Sequence, residues 1–312
     1  MSLTQLLGVD LPIIQAPMAG SQGSALALAV AAAGACGSLP CAMLDAESLT
    51  RELNALQRGS ARPINLNFFC HQPSPPDPRR EEAWRRALSP YYAELGVDPA
   101  SIGAGPGRVP FAAASVASIA PFRPRLVSFH FGLPAGELLA QVKSWGAKVL
   151  ASATTVDEAR WLERNGADAI IAQGVEAGGH RGMFLSQDVT TQLGTLALIP
   201  QVVAAVRLPV IAAGGIADER GVAAALRLGA QGVQVGTAYL FCPEASTSAV
   251  HRAALASDAA HHTALTNLFS GRPARGIVNR VMRELGPLSE QAPAFPQATH
   301  AIAPLRAKAE SL

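Results

Sequence analysis

Pro209-Val-Ile-Ala-Ala-Gly-Gly-Ile-Ala-Asp-Glu-Arg-Gly-Val-Ala-Ala-Ala-Leu-Arg-Leu-Gly-Ala-Gln-Gly-Val-Gln-Val-Gly-Thr237 reads as a strand, a glycine turn, a helix and a second strand. Pro209–Ala212 and Gly232–Val235 are short β-rich runs. Between them, Glu219–Leu228 has helical composition and ends at Gly229, where a left-handed helix terminus needs glycine. Strands joined through helices in this way belong to a parallel α/β sheet.

The same unit recurs upstream. Strand-like runs fall at Pro12–Ala16, Gly37–Leu39, Ile64–Phe68, Leu126–Phe129, Lys148–Ser152 and Ala169–Gln173, which brings the number of strands to eight. Helices are expected over Ala25–Ala33, Ala46–Gln57, Ala135–Trp145, Val156–Asn165 and Leu196–Val206. Gly146 and Gly166 sit like Gly229, each in a Gly-Ala pair just past a helix. Eight strands alternating with helices predict an α/β fold of the (β/α)8 TIM-barrel type, with a helical subdomain over the C-terminal rim. The barrel is expected over residues 1–242, with a lid-like insertion at about 70–124. That insertion opens with Pro-rich His71–Pro78 and continues into a helix over Arg80–Leu95. Residues 243–297 are expected to form the helical subdomain, and 298–312 a tail packing back on the barrel.

Composition narrows the function. The chain has 312 residues, 49% hydrophobic, and a net charge of +2, with no long Lys/Arg run. That balance offers no electrostatic footprint for nucleic acid or an anionic membrane. The 4 cysteines, Cys36, Cys41, Cys70 and Cys242, lack CxxC spacing, so no metal site is expected. No signal peptide is read at the N-terminus and no apolar run is long enough to span a bilayer, so a cytoplasmic protein is expected, as monomer or homodimer. HExxH and GxSxG are absent. Gly103–Gly107 looks like a dinucleotide loop but has no preceding strand, and its prolines oppose an immediate helix.

Barrel enzymes carry reactive groups at the C-terminal ends of their strands. Those ends nominate Gln15-Ala16-Pro17-Met18, Asn65 and Asn67 (which share one face), Ser128 with His130, and Gln173. Gln173 runs into Gly174-Val-Glu-Ala-Gly178-Gly179-His180-Arg181. His71 and His130 are candidate pocket-lining residues, and Tyr91 and Tyr92 candidate substrate contacts or packing groups of the lid helix. After the seventh and eighth strands, Gly214-Gly215 and Gln234-Val235-Gly236-Thr237 leave room for backbone amides to approach an anion. Two such turns in succession favour phosphate binding over turn geometry alone. His180, on a glycine-rich loop at a strand end, is suited to act as general base or hydrogen-bond partner. Glu176 and Arg181 read as loop braces.

These pieces, in order, resemble the nitronate monooxygenase (2-nitropropane dioxygenase) family over nearly the whole chain. The resembling stretches are Gln15–Gly20, Asn65–Phe69, Ser128–Gly132, Gln173–Gly182, Pro209–Ile216, Leu228–Thr237 and Ser270–Asn279. The resemblance implies an FMN enzyme that oxidises alkyl nitronates, such as propionate-3-nitronate, with O2 to a carbonyl compound and nitrite. It implies flavin contacts at Asn67, Gln173 and Gly178, phosphate at Gly214-Gly215 and Gln234–Thr237, and His180 as the catalytic residue. Ala16, Pro17, Met18 and Gly179 are expected beside the same cofactor. Two places depart from the family pattern: the loop Ser21-Gln-Gly-Ser-Ala25, and the second strand, where Cys36 and Cys41 replace smaller residues. A competing reading is an NAD(P)H-dependent FMN reductase of the same barrel group, acting on a quinone or enoyl thioester. A third is a flavin- or phosphate-binding protein without activity.

Overall fold

The computed structural model describes residues 2–103 and 108–311, and the chain divides into two compact units. Most of the glycine loop 103–107 lies outside the described residues.

The first unit comprises residues 1–71, 109–177 and 182–247 and is the barrel. Its strands are β1 (Ile13–Gln15), β2 (Ser38–Pro40), β3 (Asn65–Phe69), β4 (Leu126–His130), β5 (Lys148–Ala153) and β6 (Ala169–Gln173). A two-residue strand of the second unit, β7 (Gly179–His180), intervenes before β8 (Val210–Ala213) and β9 (Gly232–Val235). The barrel strands run in the order β1-β9-β8-β6-β5-β4-β3-β2, every pair parallel. A single bridge closes the ring: Gln15 N donates to Cys36 O (2.8 Å) and Cys36 N to Ile13 O (2.9 Å). The eight strands, and the helices expected between them, therefore stand where the sequence places them. Gly146, Gly166 and Gly229 take the left-handed conformation expected of them (φ 82°, 99° and 98°).

Register separates the barrel interior into two layers, because partnered residues of parallel strands share a face. Ile14, Leu126, Leu150, Ala169, Ile171 and Ile211 make the apolar layer, joined by Leu3, Leu7 and Val9. Val9 follows, and Leu3 and Leu7 come from, an N-terminal element the sequence reading passed over. It is a five-residue helix, Leu3–Leu7, held by a Ser2/Gln5 capping box and closed by Gly8 at φ 69°. Each fully buried Leu here is worth roughly 1.5–3 kcal/mol relative to an exposed one. Toward the C-terminal ends the same interior face turns polar, with Ser38, Asn65, Asn67, Ser128, Ser152 and Gln173 all buried.

The insertion expected at 70–124 is narrower in the structure. Residues 72–108 belong to the second unit, while 109–124 return to the barrel. There the helix Ala113–Ile119 fills the place between β3 and β4, and Phe111 packs edge-on to Phe68 and Phe129 (4.9 and 5.1 Å). Seven residues, five of them Ala or Ser with only Val116 and Ile119 buried, give too little periodicity to mark that helix in the sequence.

The second unit comprises residues 72–108, 178–181 and 248–312. Helix Pro78–Leu95 packs against helix Ala298–Glu310 around Trp84, Leu88, Tyr92, Ile302 and Leu305. Trp84 Nε1 donates to Ala298 O (3.2 Å) and Tyr92 Oη to Ala301 O (2.7 Å). The terminal helix is thus bound into this unit, where the sequence reading expected a tail on the barrel. The unit also holds strands that the helical reading missed. β10 (Thr263–Thr266) and β11 (Ala274–Ile277) form an antiparallel pair, and β11 takes β7 on its other edge. Gly276 and Arg275 interrupt the apolar alternation that would have marked β11.

Gly37, at the entry to β2, has no room for a side chain: a Cβ there would stand 2.1 Å from Ala27 O, in a helix backbone that cannot swing aside. Gly37→Ala is expected to destabilise the fold by about 3 kcal/mol, measured by urea unfolding. An unchanged midpoint would contradict the close approach.

Candidate active site

The residues nominated by the sequence divide between the two units. In the barrel, Gln15 and Gln22 are both buried and hydrogen-bond to each other. Gln22 Nε2 donates to Ser38 O (2.5 Å), its Oε1 accepts from Met18 N (3.2 Å), and Gln15 Oε1 accepts from Ser38 N (3.0 Å). This network fixes the turn Ala16-Pro17-Met18 beyond β1. Gln22 lies in the loop Ser21–Ala25 and places a buried amide against the end of β1. Asn65 Nδ2 donates to Ser38 Oγ (3.0 Å), and Asn67 Nδ2 to Ser128 Oγ (2.9 Å). Each amide of β3 is thus held by a hydroxyl on a neighbouring strand, as buried polar groups require.

On the far side of the ring, His130 Nδ1 lies 3.0 Å from Ser152 Oγ. Phe69, His71, His130 and Phe131 gather at the ends of β3 and β4 with ring centroids 4.5–6.4 Å apart. Phe131 adopts φ 69°, a left-handed conformation uncommon for a bulky residue and held only where the surroundings enforce it. Gln173 Oε1 accepts from Gly182 N (2.7 Å), so the segment between them leaves and rejoins the barrel at one place. Glu176 is a brace: it accepts from Thr195 N (2.8 Å) and Thr195 Oγ1 (2.7 Å) at the start of helix Thr195–Ala205.

Gly214 and Gly215 (φ 118° and 67°) follow β8. A Cβ on Gly214 would stand 2.9 Å from both Ala177 N and Thr195 Oγ1, so this backbone must be bare. Among the described residues, the amides of Gly215 and Gly236 donate to no protein acceptor. The next helix, Glu219–Arg227, is capped by its own Asp218, which accepts from Gly221 N (2.9 Å). The unpaired backbone donors at this end are therefore in the glycine turns themselves. Two buried acceptors, Gln234 Oε1 and Asn65 Oδ1, also have no hydrogen-bond partner in the protein.

In the second unit, His180 stands in β7 opposite Ala274 of β11, and Arg181 N donates to Pro273 O (2.9 Å). Its Nε2 is 2.7 Å from Ser270 Oγ, and its ring meets Phe295 edge-on at 5.6 Å. Ser270 Oγ in turn donates to Arg272 O (3.4 Å). A hydroxyl has one proton. Ser270 Oγ also accepts from Arg272 N (3.4 Å), and which partner supplies the hydrogen of the His180–Ser270 bond follows from the imidazole tautomer. The sequence reading did not single out Ser270 as a site residue. Nothing local marks it, since it lies ninety residues from the histidine it holds.

Tyr91 and Tyr92 are engaged in packing. Tyr92 is buried beneath helix Ala298–Glu310. Tyr91 Oη donates to Glu284 Oε2 (2.6 Å), and Arg280 lies over its ring (5.4 Å). Among the described residues the cysteines form no disulfide, and burial pushes the Cys36 thiol up to about 12, which leaves it inert as a nucleophile. Among the described residues, no group of three or more His, Cys, Asp or Glu could hold a metal. No described helix is long and apolar enough to cross a membrane.

Polar groups gathered at the C-terminal ends of eight parallel strands define a (β/α)8-barrel enzyme. Comparison with known proteins gives the family. The family model for nitronate monooxygenase matches residues 1–311, and the chain belongs to that family. A nitronate monooxygenase of Pseudomonas aeruginosa is 45% identical over 289 residues, 89% of this chain and 80% of the relative. One from Paraburkholderia phytofirmans is 43% identical, over 89% of this chain and 76% of the relative. The solved nitroalkane oxidase of Streptomyces ansochromogenes is 40% identical with a TM-score of 0.89, covering 100% of this chain and 88% of that one. The solved FabK of Thermotoga maritima is more distant, at 28% identity and a TM-score of 0.70 over 91% of this chain and 77% of that one. The closer likenesses favour an oxidoreductase of the nitronate-oxidising kind over the reductase reading.

Burial, followed by the Glu284 hydrogen bond and charge, pushes the Tyr91 phenol up from 10.0 to about 12. The fold therefore favours the protonated phenol. Its contribution is full below the unfolded value and is lost as pH rises through the folded one. The stability difference between wild type and Tyr91→Phe should hold constant up to about pH 10 and shrink between pH 10 and 12. Urea unfolding across that range checks it, and a constant difference up to pH 12 would contradict the assignment.

Proposed function

We propose that the protein is an FMN-dependent nitronate monooxygenase, oxidising alkyl nitronates such as propionate-3-nitronate with O2 to a carbonyl compound and nitrite. The observation that carries this reading is the loop from Gln173 to Gly182, tied at both ends to the barrel and presenting His180.

The residues present fit a flavin mononucleotide. Unpartnered amides at Gly215 and Gly236 and the bare backbone of Gly214 suit a phosphate, which needs several N–H donors and close approach. The unpartnered Gln234 Oε1 awaits a donor, which a hydroxyl of the chain next to the phosphate in such a cofactor would offer. Gly214, Gly215 and Gln234, Val235, Gly236 and Thr237 would hold the phosphate end. Ala16, Pro17, Met18, Asn67, Gln173, Gly178 and Gly179 would hold the ring. When bound, FMN would supply the electron transfer and the reaction with O2.

The protein's own task is narrower. A nitronate arrives already deprotonated, so no group need abstract a proton from carbon. His180, oriented through Ser270, acts as electrostatic and hydrogen-bond partner of the anionic nitro group. His130, held by Ser152, is the further candidate substrate contact in the barrel.

The purified protein should be yellow, consume O2 and release nitrite with a nitronate. His180→Ala should lower kcat/KM about 100-fold while retaining its flavin absorbance. Full activity of that variant would remove His180 from the reaction, and a colourless protein that cannot be reconstituted with FMN would overturn the cofactor assignment.

A further inference from the structure

Glu158 is a buried carboxylate, 1% exposed, in the first turn of helix Val156–Arg164. Among the described residues, no Lys, Arg or His forms an ion pair with it. Hydrogen-bond donors surround it instead. Oε2 accepts from Thr154 N (2.7 Å) and Thr154 Oγ1 (2.7 Å), at the end of β5. Oε1 accepts from Phe184 N (2.6 Å) and Leu185 N (3.2 Å). Thr154 Oγ1 also accepts from Gln192 Nε2 (3.1 Å), so the hydroxyl's proton is committed to the carboxylate.

The two backbone amides are the informative partners. Phe184 and Leu185 follow His180 by four and five residues, just after Gly182 has returned to Gln173. A buried charge with no counter-ion is costly, and an apolar side chain would fill the same space more cheaply. What the carboxylate adds is direction: four donors converging on two oxygens hold a loop that lacks regular structure. Hydrogen bonds to an ionised acceptor are shorter and about twice as strong as neutral ones.

We propose that Glu158 is a positioning residue for His180, fixing the point at which the segment bearing the imidazole rejoins the barrel. The proposal rests on the catalytic reading of His180. Glu176 performs the matching task on the outgoing limb, through Thr195. Glu158 touches no reacting group. It acts by limiting how far the returning limb can wander.

The test is a double-mutant cycle on the flavin-loaded enzyme. Glu158→Gln keeps the shape but sets an amide against donors, and is expected to lower kcat and kcat/KM together by about tenfold, with KM and flavin content nearly unchanged. In a His180→Asn background, measured by single turnover, the same change should cost less than about twofold, because the group being positioned is already gone. Thr154→Val, which removes one donor and leaves the carboxylate in place, should show the same dependence on His180 with a fall of about threefold. This second variant keeps the proposal testable should Glu158→Gln fold poorly. Equal losses in both backgrounds, or no loss in the wild-type background, would overturn the proposal and leave the His180 reading standing. Full turnover by His180→Asn alone would remove that reading and the proposal together.

Discussion

The barrel depends on the satisfaction of polar side chains that its own register buries. Eight parallel strands force each inward position into the interior, and toward their C-terminal ends those positions are amides and hydroxyls. A buried amide without partners costs on the order of 1–3 kcal/mol, so each must be met from a neighbouring strand or from a ligand. Ser38 meets Asn65, Ser128 meets Asn67, Ser152 meets His130, and the Gly182 amide meets Gln173. These pairs lock the top of the barrel without an apolar core there. The groups left over, Gln234 Oε1, Asn65 Oδ1 and the amides of Gly215 and Gly236, are those the proposed cofactor would satisfy.

The barrel was legible because its signals are local. Most strands are short apolar runs, and Gly146, Gly166 and Gly229 mark the ends of three helices between them. The polar strand ends could be nominated for the same reason: Asn65 and Asn67 share parity, and two glycines follow each of β6 and β8. What escaped the sequence depends on contacts between distant residues. Gln22 acquires meaning only when Ser38 is folded beside it, Ser270 only when β11 brings it to His180, and Glu158 only when the chain returns at Phe184. The strands β10 and β11 were hidden by an arginine and a glycine in a run of four residues, and helix Ala113–Ile119 by its brevity.

The loop from Gln173 to Gly182 joins these two kinds of information. Its glycines and its histidine are evident in the sequence, while its restraints are not. Glu176 and Glu158 are two carboxylates from different parts of the barrel, both engaged by backbone N–H groups and hydroxyls. A flexible loop can present an imidazole reproducibly when its limbs are tied in this way, because pre-organised groups need not be ordered during the reaction. Family membership then gives the chemistry a name, and the physical pattern gives particular residues their tasks.

The central claim is that electrons enter from a nitronate and not from a nicotinamide. Anaerobic stopped-flow mixing separates the two directly. An alkyl nitronate is expected to bleach the flavin within the time of a turnover, while NADH and NADPH leave its spectrum unchanged. Rapid bleaching by either nicotinamide, with none by the nitronate, would contradict it.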